Sequence, residues 1–185
     1  MRFDPNLTLT GYGVTLRRVT HDKIEMLRQW RNDPKIQQYM FSKNYITQEM
    51  QEAWFKRINN DNNLHFIIEF ENKEIGSINI QHVDYINKNG EPGVYIYDDE
   101  YLNSDIAYRA HLVLFDYIYE TMHLDFTYSN IQKDNIRAIR FAKFLGSKEI
   151  STETNEIRRL VLTKEDYYCN PNRTHFLKRW NHFNK

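Results

Sequence analysis

Residues 93–118 read GVYIYDDEYLNSDIAYRAHLVLFDYI. The apolar residues of Val94–Tyr97 predict a short strand, which stops at the acidic run of residues 98–100. Six apolar side chains then recur at helical spacing: Ile106, Ala110, Val113, Leu114, Tyr117 and Ile118. They predict a long helix with one apolar face. This stretch therefore predicts a joint in the chain that consists of a strand, an acidic turn and a long helix.

Upstream of this joint, the pattern predicts one strand followed by two helices. Residues Val14–Val19 predict the first strand, and Thr20 is expected to cap a helix that ends near Pro34. Thr47 is expected to cap a second helix, with a short helix and a loop over residues 34–46. Both helices carry apolar side chains at helical spacing: Ile24, Met26, Leu27 and Trp30 in the first, and Met50, Trp54, Phe55 and Ile58 in the second.

A hairpin and several further elements complete the order. Alternating residues over Leu64–Phe70 and a return over Ile75–Ile80 predict the hairpin, and Asn87–Pro92 is expected to be a loop. The downstream elements are a strand at Leu124–Tyr128, a helix capped by Asp134 and closed by Gly146, a further strand at Lys148–Ser151 and a last strand at Glu156–Leu162. This order predicts an α/β (α+β) fold in one domain of 185 residues, with helices on a mixed sheet.

Composition excludes several classes of protein. The chain has 25 basic and 25 acidic residues, so it lacks the positive charge of a typical nucleic-acid binder. Cys169 is the only cysteine, which excludes an internal disulfide. There is no apolar run of membrane-spanning length and no N-terminal pattern of a signal peptide. We expect a cytoplasmic protein without nucleic-acid or membrane partners.

Aromatic residues are numerous, with 13 Tyr, 11 Phe and 3 Trp. They favour a core of amphipathic rings, and a pocket that stacks a flat or sugar-like ligand is the alternative. The seven histidines are scattered without the spacing of a zinc helix, so no metal site is predicted.

The element order resembles the fold of the GNAT acetyltransferases. Residues 93–101 resemble the fourth strand of that family and the turn that follows it. Asn135, Ala138, Phe141 and Gly146 resemble the family's later Asn, small residue, aromatic and Gly. The resemblance implies a mostly antiparallel sheet that splays between its fourth and fifth strands, after Val94–Tyr97, with helices on both faces.

The same resemblance implies acetyl-CoA as the acetyl donor. Its pantetheine arm would lie along Tyr95, Ile96 and Tyr97, and its pyrophosphate would lie at the start of the following helix, where backbone N–H groups attract anions. The residues implied at the pyrophosphate are Leu102, Asn103, Ser104, Asp105, Ile106 and Ala107, with Asn135 and Phe141 nearby.

Two positions depart from the family pattern. Residues 103–107 contain no glycine, although Asn and Asp tolerate left-handed backbone best among the other residues. Asp105 would place a negative charge near the pyrophosphate, so Asp105→Gly is expected to tighten acetyl-CoA binding. Many members have a tyrosine that protonates the departing thiolate after the aromatic at Phe141, whereas this chain has Ala142. Another hydroxyl or water would then serve, or catalysis is slow or lost.

The N-terminal half contains four short motifs: WRNDP at 30–34, MFSK at 40–43, IT at 46–47 and WF at 54–55. Together they resemble enzymes that acetylate amino sugars linked to nucleotides such as UDP. Ribosomal-protein alanine and spermidine acetyltransferases share parts of this pattern. The residues implied in the acceptor site are Trp30, Arg31, Met40, Phe41, Tyr45 and Trp54. Their alternative role is packing between the first two helices. A polyamine site is expected to contain carboxylates, which are few in this segment, so the sequence favours a sugar amine.

Acetyl transfer to an amine needs a proton acceptor, and the sequence offers three candidates: His82, Tyr97 and Asp98. A lone histidine such as His82 more often has a structural role or is simply exposed. Three functions remain open: an amino-sugar acetyltransferase, a protein or polyamine acetyltransferase, and a non-catalytic GNAT domain that only binds a ligand. The expected partner is a small-molecule amine, and a homodimer is an open alternative.

Overall fold

The computed structural model describes residues 4–150 and 155–183, and eight strands of this part form one sheet. In chain order the strands are β1 (Thr8–Gly11), β2 (Val14–Arg18), β3 (Leu64–Phe70), β4 (Lys73–Asp84), β5 (Asn89–Ile96), β6 (Phe126–Gln132), β7 (Lys148–Ile150) and β8 (Ile157–Thr163). Their order across the sheet is β1-β2-β3-β4-β5-β6-β8-β7. Only β5 and β6 pair in parallel, so the predicted mixed, mostly antiparallel sheet is confirmed.

Helices connect and cover these strands. They are α1 (Ile24–Asn32), α2 (Pro34–Gln37), α3 (Gln48–Ile58), α4 (Ile106–Glu120), α5 (Ile136–Phe144), α6 (Lys164–Tyr168) and α7 (Pro171–Phe183). The Thr47 hydroxyl accepts the Met50 amide at 3.3 Å, which confirms the predicted cap of α3. Among the residues described, no helix combines the length and apolar character that crossing a bilayer requires.

Several predicted boundaries were wrong, for local reasons. Thr20 precedes a 3-10 turn rather than α1, and its hydroxyl donates to Asp22 at 2.6 Å instead of accepting a cap bond. Asn135 caps α5 in place of Asp134, because its side chain accepts the Ala138 amide at 3.1 Å. The short first strand β1 was missed, and the aromatic tail folds into α6 and α7. Ser151, the predicted end of β7, lies outside the described residues.

The predicted loop at Asn87–Pro92 is also wrong in part, since β5 begins at Asn89. Pro92 misled the prediction because proline cannot donate to a β-ladder. In the structure the Tyr97 amide donates to the Ile75 carbonyl of β4 at 2.8 Å. Alternate residues of a strand point their amides to opposite sides, so position 92 faces away from β4. A proline there removes no bond to β4.

The two faces of the sheet bury two apolar clusters. The larger cluster lies under α4 and contains Phe66, Ile68 and Ile78, all fully buried. The smaller one, on the opposite face, joins Ile67 to Trp30 and Leu27 of α1. Because side chains alternate along a strand, the single strand β3 supplies both clusters. The predicted amphipathic helix α4 therefore covers one face, while α1 and α3 cover the other.

Candidate functional site

A wedge opens in the sheet between β5 and β6. The two strands pair only at Asn89–Phe126 and Gly90–Thr127, yet β5 continues to Ile96. The predicted splay is therefore present, but it begins before Val94 rather than after Tyr97. The backbone N–H groups of Val94 and Ile96 point away from β4 and into this wedge, where β6 no longer reaches them. An extended chain with amide groups can pair with this free edge.

The segment after β5 leads from the wedge to the start of α4. Asp98 accepts the Glu100 amide at 3.0 Å and thereby caps a 3-10 turn over Asp99–Tyr101. The Ser104 hydroxyl donates to the Tyr101 carbonyl at 2.7 Å and accepts the Ile106 amide at 3.3 Å. These bonds shape the turn that the family builds with glycines. The Ile106 amide is thus occupied, but the next N–H groups of α4, those of Ala107 and Tyr108, have no partner within the helix and are available to an anion.

Asp105 occupies the N-cap position of α4, but its side chain pairs with Arg109 and does not cap the helix. The Arg109 Nη2 donates to Asp105 Oδ2 at 3.0 Å, and Nε lies 2.9 Å from Oδ1. No side-chain cap bond from Asp105 to α4 forms. The carboxylate is therefore neutralised by a cation one helical turn away. The gain in acetyl-CoA affinity expected for Asp105→Gly becomes smaller for this reason.

Helix α5 borders the same region. Asn135, a predicted cofactor contact, uses its side chain to cap α5, and Phe141 places its ring 5.0 Å from the His111 ring. The Arg137 guanidinium donates to the Leu102 carbonyl, which ties α5 to the turn before α4. Ala142 is buried and carries no hydroxyl, so the structure offers no proton donor at this position.

Aromatic rings line the opposite face of the sheet, where α1 and α3 lie. Trp30 stacks on Tyr97 with centroids 4.9 Å apart and meets Tyr95 edge-on at 6.4 Å. Trp54 meets His65 edge-on at 5.1 Å. Of the predicted acceptor residues, the structure brings Trp30 and Trp54 into one cluster. By contrast, Phe41 and Tyr45 lie exposed outside this cluster, and the Met40 carbonyl accepts the Gln132 amide of β6 at 3.0 Å.

Three polar atoms beside these rings are buried without a hydrogen-bond partner among the described residues: Arg31 Nε, His65 Nε2 and Asn79 Oδ1. Burial, with a smaller contribution from Arg18 and Arg31, lowers the pKa of His65 to about 3, so its imidazole is neutral. Burial also raises the pKa of the Tyr95 hydroxyl, which stays protonated. Such unsatisfied groups indicate a place for water or for a polar ligand.

Glu91 is a candidate site residue that the sequence pattern did not indicate. Its Oε2 lies 3.2 Å from His82 Nδ1, and its Oε1 accepts the Asn130 side-chain amide at 3.0 Å. The Glu91 side chain is only 17% exposed, although that of His82 is 64% exposed. Alternation places Glu91, Gly93 and Tyr95 on the same face of β5. This pattern would have revealed Glu91 if the strand had been predicted to begin before Pro92.

The three predicted catalytic residues lie at opposite ends of β5. His82 faces Glu91 near its start, whereas Tyr97 and Asp98 follow its last residue. The Tyr97 hydroxyl donates to Asp33 at 3.3 Å, and the Lys35 ammonium lies 4.1 Å from the Tyr97 ring centroid. Asp98 uses one oxygen as a cap, so the pair of His82 and Glu91 is the better placed to exchange a proton with a ligand.

Comparisons with known proteins show the family and the fold. A family model described as "Acetyltransferase (GNAT) domain" matches residues 14–148. A curated relative, spermidine N(1)-acetyltransferase of Escherichia coli K12, is 22% identical over 138 residues, which is 74% of each chain. A crystal structure of spermidine N-acetyltransferase from Vibrio cholerae, in complex with CoA and spermine, superposes with a TM-score of 0.77 and 19% identity over 85% of this chain and 99% of that one. The crystal structure of a domain from Methanocaldococcus jannaschii superposes with a TM-score of 0.72 and 20% sequence identity, over 81% of this chain and 97% of that one.

The expected family is thus confirmed, and the finer expectation is corrected. The relatives from Escherichia coli and Vibrio cholerae are spermidine acetyltransferases, whereas the N-terminal half of the sequence had suggested enzymes acting on amino sugars. At these identities the superpositions show the fold alone. In the described part of the chain, no group of three or more His, Cys, Asp or Glu side chains is placed to hold a metal ion.

Proposed function

This chain belongs to the GNAT acetyltransferase family, and we propose that it acetylates a primary amine of a polyamine with acetyl-CoA as the donor. One observation carries the choice of acceptor. Glu91 and Asp33 lie near opposite ends of β5, and neither forms an ion pair with Lys or Arg among the described residues. A polyamine presents cations at several points along an apolar chain. Two separated carboxylates with aromatic rings between them suit such a molecule.

The wedge between β5 and β6 fits the donor. Acetyl-CoA supplies an acetyl group on a thioester, at the end of an arm that contains two amide groups. The free backbone N–H groups of Val94 and Ile96 are complementary to such an arm, and one of them can also donate to the thioester oxygen as negative charge develops on it. The N-terminus of α4 offers further N–H groups for the pyrophosphate.

Glu91 and His82 handle the proton on the acceptor side. An ammonium group must become a neutral amine before it attacks the thioester. Glu91 is held by Asn130 and faces His82, so it can bind the ammonium and pass its proton to the exposed imidazole or to water. Because Ala142 has no hydroxyl, protonation of the leaving sulfur falls to water or to another side chain.

A second candidate acceptor is an amine that also carries an anion, such as a sugar nucleotide. Arg31 favours it, because this half-buried guanidinium has no hydrogen bond or ion pair with the residues that the structure describes. It lies near His65 and Tyr95, where it affects the pKa of both. A free arginine beside an acceptor site is suited to a phosphate or a carboxylate.

A panel assay separates the two acceptors. Release of free CoA thiol is measured with spermidine, spermine, UDP- and dTDP-linked amino sugars and peptides with a free N-terminus. We expect turnover with spermidine or spermine, and a large rise in their KM in the Glu91→Gln variant. Turnover confined to the sugar nucleotides would transfer the assignment to the second candidate. Turnover with peptides alone would contradict both.

A further inference from the structure

Helix α7 lies beyond residues 14–148, the stretch that the family model matches, yet it reaches the helix that follows the wedge. Arg173, Phe176 and Trp180 are spaced by three and four residues and share one face. The rings of Phe176 and Trp180 stack at 5.8 Å, and both meet Tyr12 edge-on, at 5.9 and 6.1 Å. An aromatic face therefore docks α7 on the body of the protein.

Two anchors fix α7 along α4. The Arg173 guanidinium donates to Asp116 at 3.2 Å and lies beside the rings of Tyr167 and Tyr168, whose centroids are each 4.7 Å away. One turn further along, Phe176 meets Tyr108 edge-on at 5.4 Å. The position of Trp180 is thus set by contacts at the preceding turns of α7 rather than by its own ring alone.

Trp180 ends against Arg109. The Arg109 guanidinium lies 5.3 Å from the Trp180 ring and 6.0 Å from the Phe70 ring. Gly13 makes room for this arrangement, because a Cβ at that position would lie 3.2 Å from Trp180 and 3.7 Å from Arg109, and its φ of +73° suits glycine. Two aromatic rings therefore pack against the guanidinium and favour this orientation.

In that orientation Arg109 pairs with Asp105, the residue that immediately precedes α4. Phe70 also contacts Tyr101 at 5.6 Å, at the start of the same turn. An unpaired carboxylate at this point would oppose the pyrophosphate of acetyl-CoA, whereas a paired one opposes it much less. Through Arg109, the contacts of Trp180 therefore affect the net charge of the turn at residues 102–107.

We infer that Trp180 is a positioning residue for acetyl-CoA: the added C-terminal helix holds Arg109 on Asp105 and so permits a glycine-free turn to accept a pyrophosphate. This inference rests on the proposed function, in which residues 102–107 bind that group. Helix α7 would then contribute to donor binding although it lies outside residues 14–148, the stretch that the family model matches.

The test is a double-mutant cycle read out by isothermal titration with acetyl-CoA. Trp180→Leu keeps apolar bulk but removes the aromatic face, and we expect Kd to rise about five- to tenfold. Trp180→Phe should stay within about twofold of the wild type. In an Asp105→Asn background, where no charge needs to be neutralised, Trp180→Leu should change Kd by less than about twofold. The KM for acetyl-CoA should follow Kd, while kcat stays nearly constant.

Controls separate this role from simple folding. Phe183→Leu alters an exposed ring, 75% accessible, on the same helix and should leave Kd unchanged. Arg109→Gln should weaken binding as much as Trp180→Leu does, and it serves alone if Trp180→Leu fails to fold. An equal loss in the wild-type and Asp105→Asn backgrounds, or no loss in either, would overturn the inference. Failure of the wild type to bind acetyl-CoA would overturn the proposed function, and this inference with it.

Discussion

Glu91 Oε2 and His82 Nδ1 lie 3.2 Å apart at the closed end of the wedge, one residue beyond the last pair of β5 with β6. The carboxylate is largely enclosed and the imidazole is largely exposed. A proton taken from an ammonium group at Glu91 therefore has a direct path to solvent through His82. This arrangement provides for removal of the proton from the acceptor amine. Protonation of the departing thiolate, the role of the tyrosine that many family members have at the position of Ala142, is a separate step that this pair does not serve.

Glu91→Gln is expected to lower kcat/KM for the acceptor by about 10²- to 10⁴-fold, the usual contribution of a general base. The amide keeps the shape of the side chain and its bond to Asn130, so the fold and acetyl-CoA affinity should not change. Steady-state kinetics and titration with acetyl-CoA check both statements. Glu165→Gln, at an exposed glutamate of α6, is the matched control. Full activity in Glu91→Gln would exclude Glu91 as the proton acceptor.

The stability of the protein should fall in mild acid because of two buried histidines. Burial lowers the pKa of His65 to about 3 and that of His111 to about 4, both below the value of about 6.5 in the unfolded chain. Below pH 6.5 the unfolded state therefore binds more protons than the folded state, and the free energy of unfolding decreases. Between pH 7 and pH 5 we expect a loss of about 2 kcal/mol for each histidine.

Urea unfolding at pH 7 and pH 5 measures this loss. His65→Gln and His111→Gln should each reduce the pH dependence by about 2 kcal/mol, whatever they cost in absolute stability. His175→Gln changes an exposed histidine and should have no such effect. A pH dependence that is unchanged in both buried variants would show that other groups cause it.

Replacing either of two glycines in the sheet by alanine should lower the stability of the protein, but by unequal amounts. A Cβ at Gly76 would lie 2.4 Å from the Tyr95 carbonyl oxygen and 3.0 Å from Ile96 Cα, so β5 would have to move. At Gly93 the nearest atoms belong to the Asn79 side chain, at 3.3 Å. We expect Gly76→Ala to destabilise the protein by about 2–3 kcal/mol and Gly93→Ala by less than about 1 kcal/mol. Equal losses by urea unfolding would contradict the close packing of β5 on β4.

Periodicity predicted the elements that bury an apolar face. The helix α4 and the hairpin of β3 and β4 are examples, because burial imposes a regular pattern on their sequences. The strand β1 and the start of β5 were missed, since β1 is a four-residue edge strand and Pro92 reads as a strand breaker. Whether a proline is tolerated depends on which side of the strand its nitrogen faces, and the sequence does not contain that information.

Of the candidate site, the sequence could indicate only the parts that a local motif marks. The turn at residues 102–107 follows directly from the order of strand and helix. The pair of Glu91 with His82 depends on a bulge at the end of β4, where the pairing shifts after Gln81 and His82 has a φ of +54°. Likewise, the contact of Trp180 with Arg109 joins residues far apart in sequence. Neither spacing nor composition encodes such contacts.

Arg31 gives the sharpest test of the acceptor. Its guanidinium lies beside the aromatic rings of the acceptor face without an ion pair among the described residues, so it should repel a polyamine and attract an anion. Arg31→Gln is then expected to lower the KM for spermidine about three- to tenfold, since a like charge near a partly buried site costs about 1 kcal/mol. Arg28→Gln, on the same helix but paired with Glu25, is the control and should change the KM little. Initial rates at low and high salt measure both variants, and the difference in KM should shrink at high salt because exposed charges are screened.

A higher KM for spermidine in Arg31→Gln would mean that Arg31 stabilises the structure of the acceptor site rather than setting its charge. A loss of turnover with a sugar nucleotide, together with no change for spermidine, would identify an anionic amine as the acceptor.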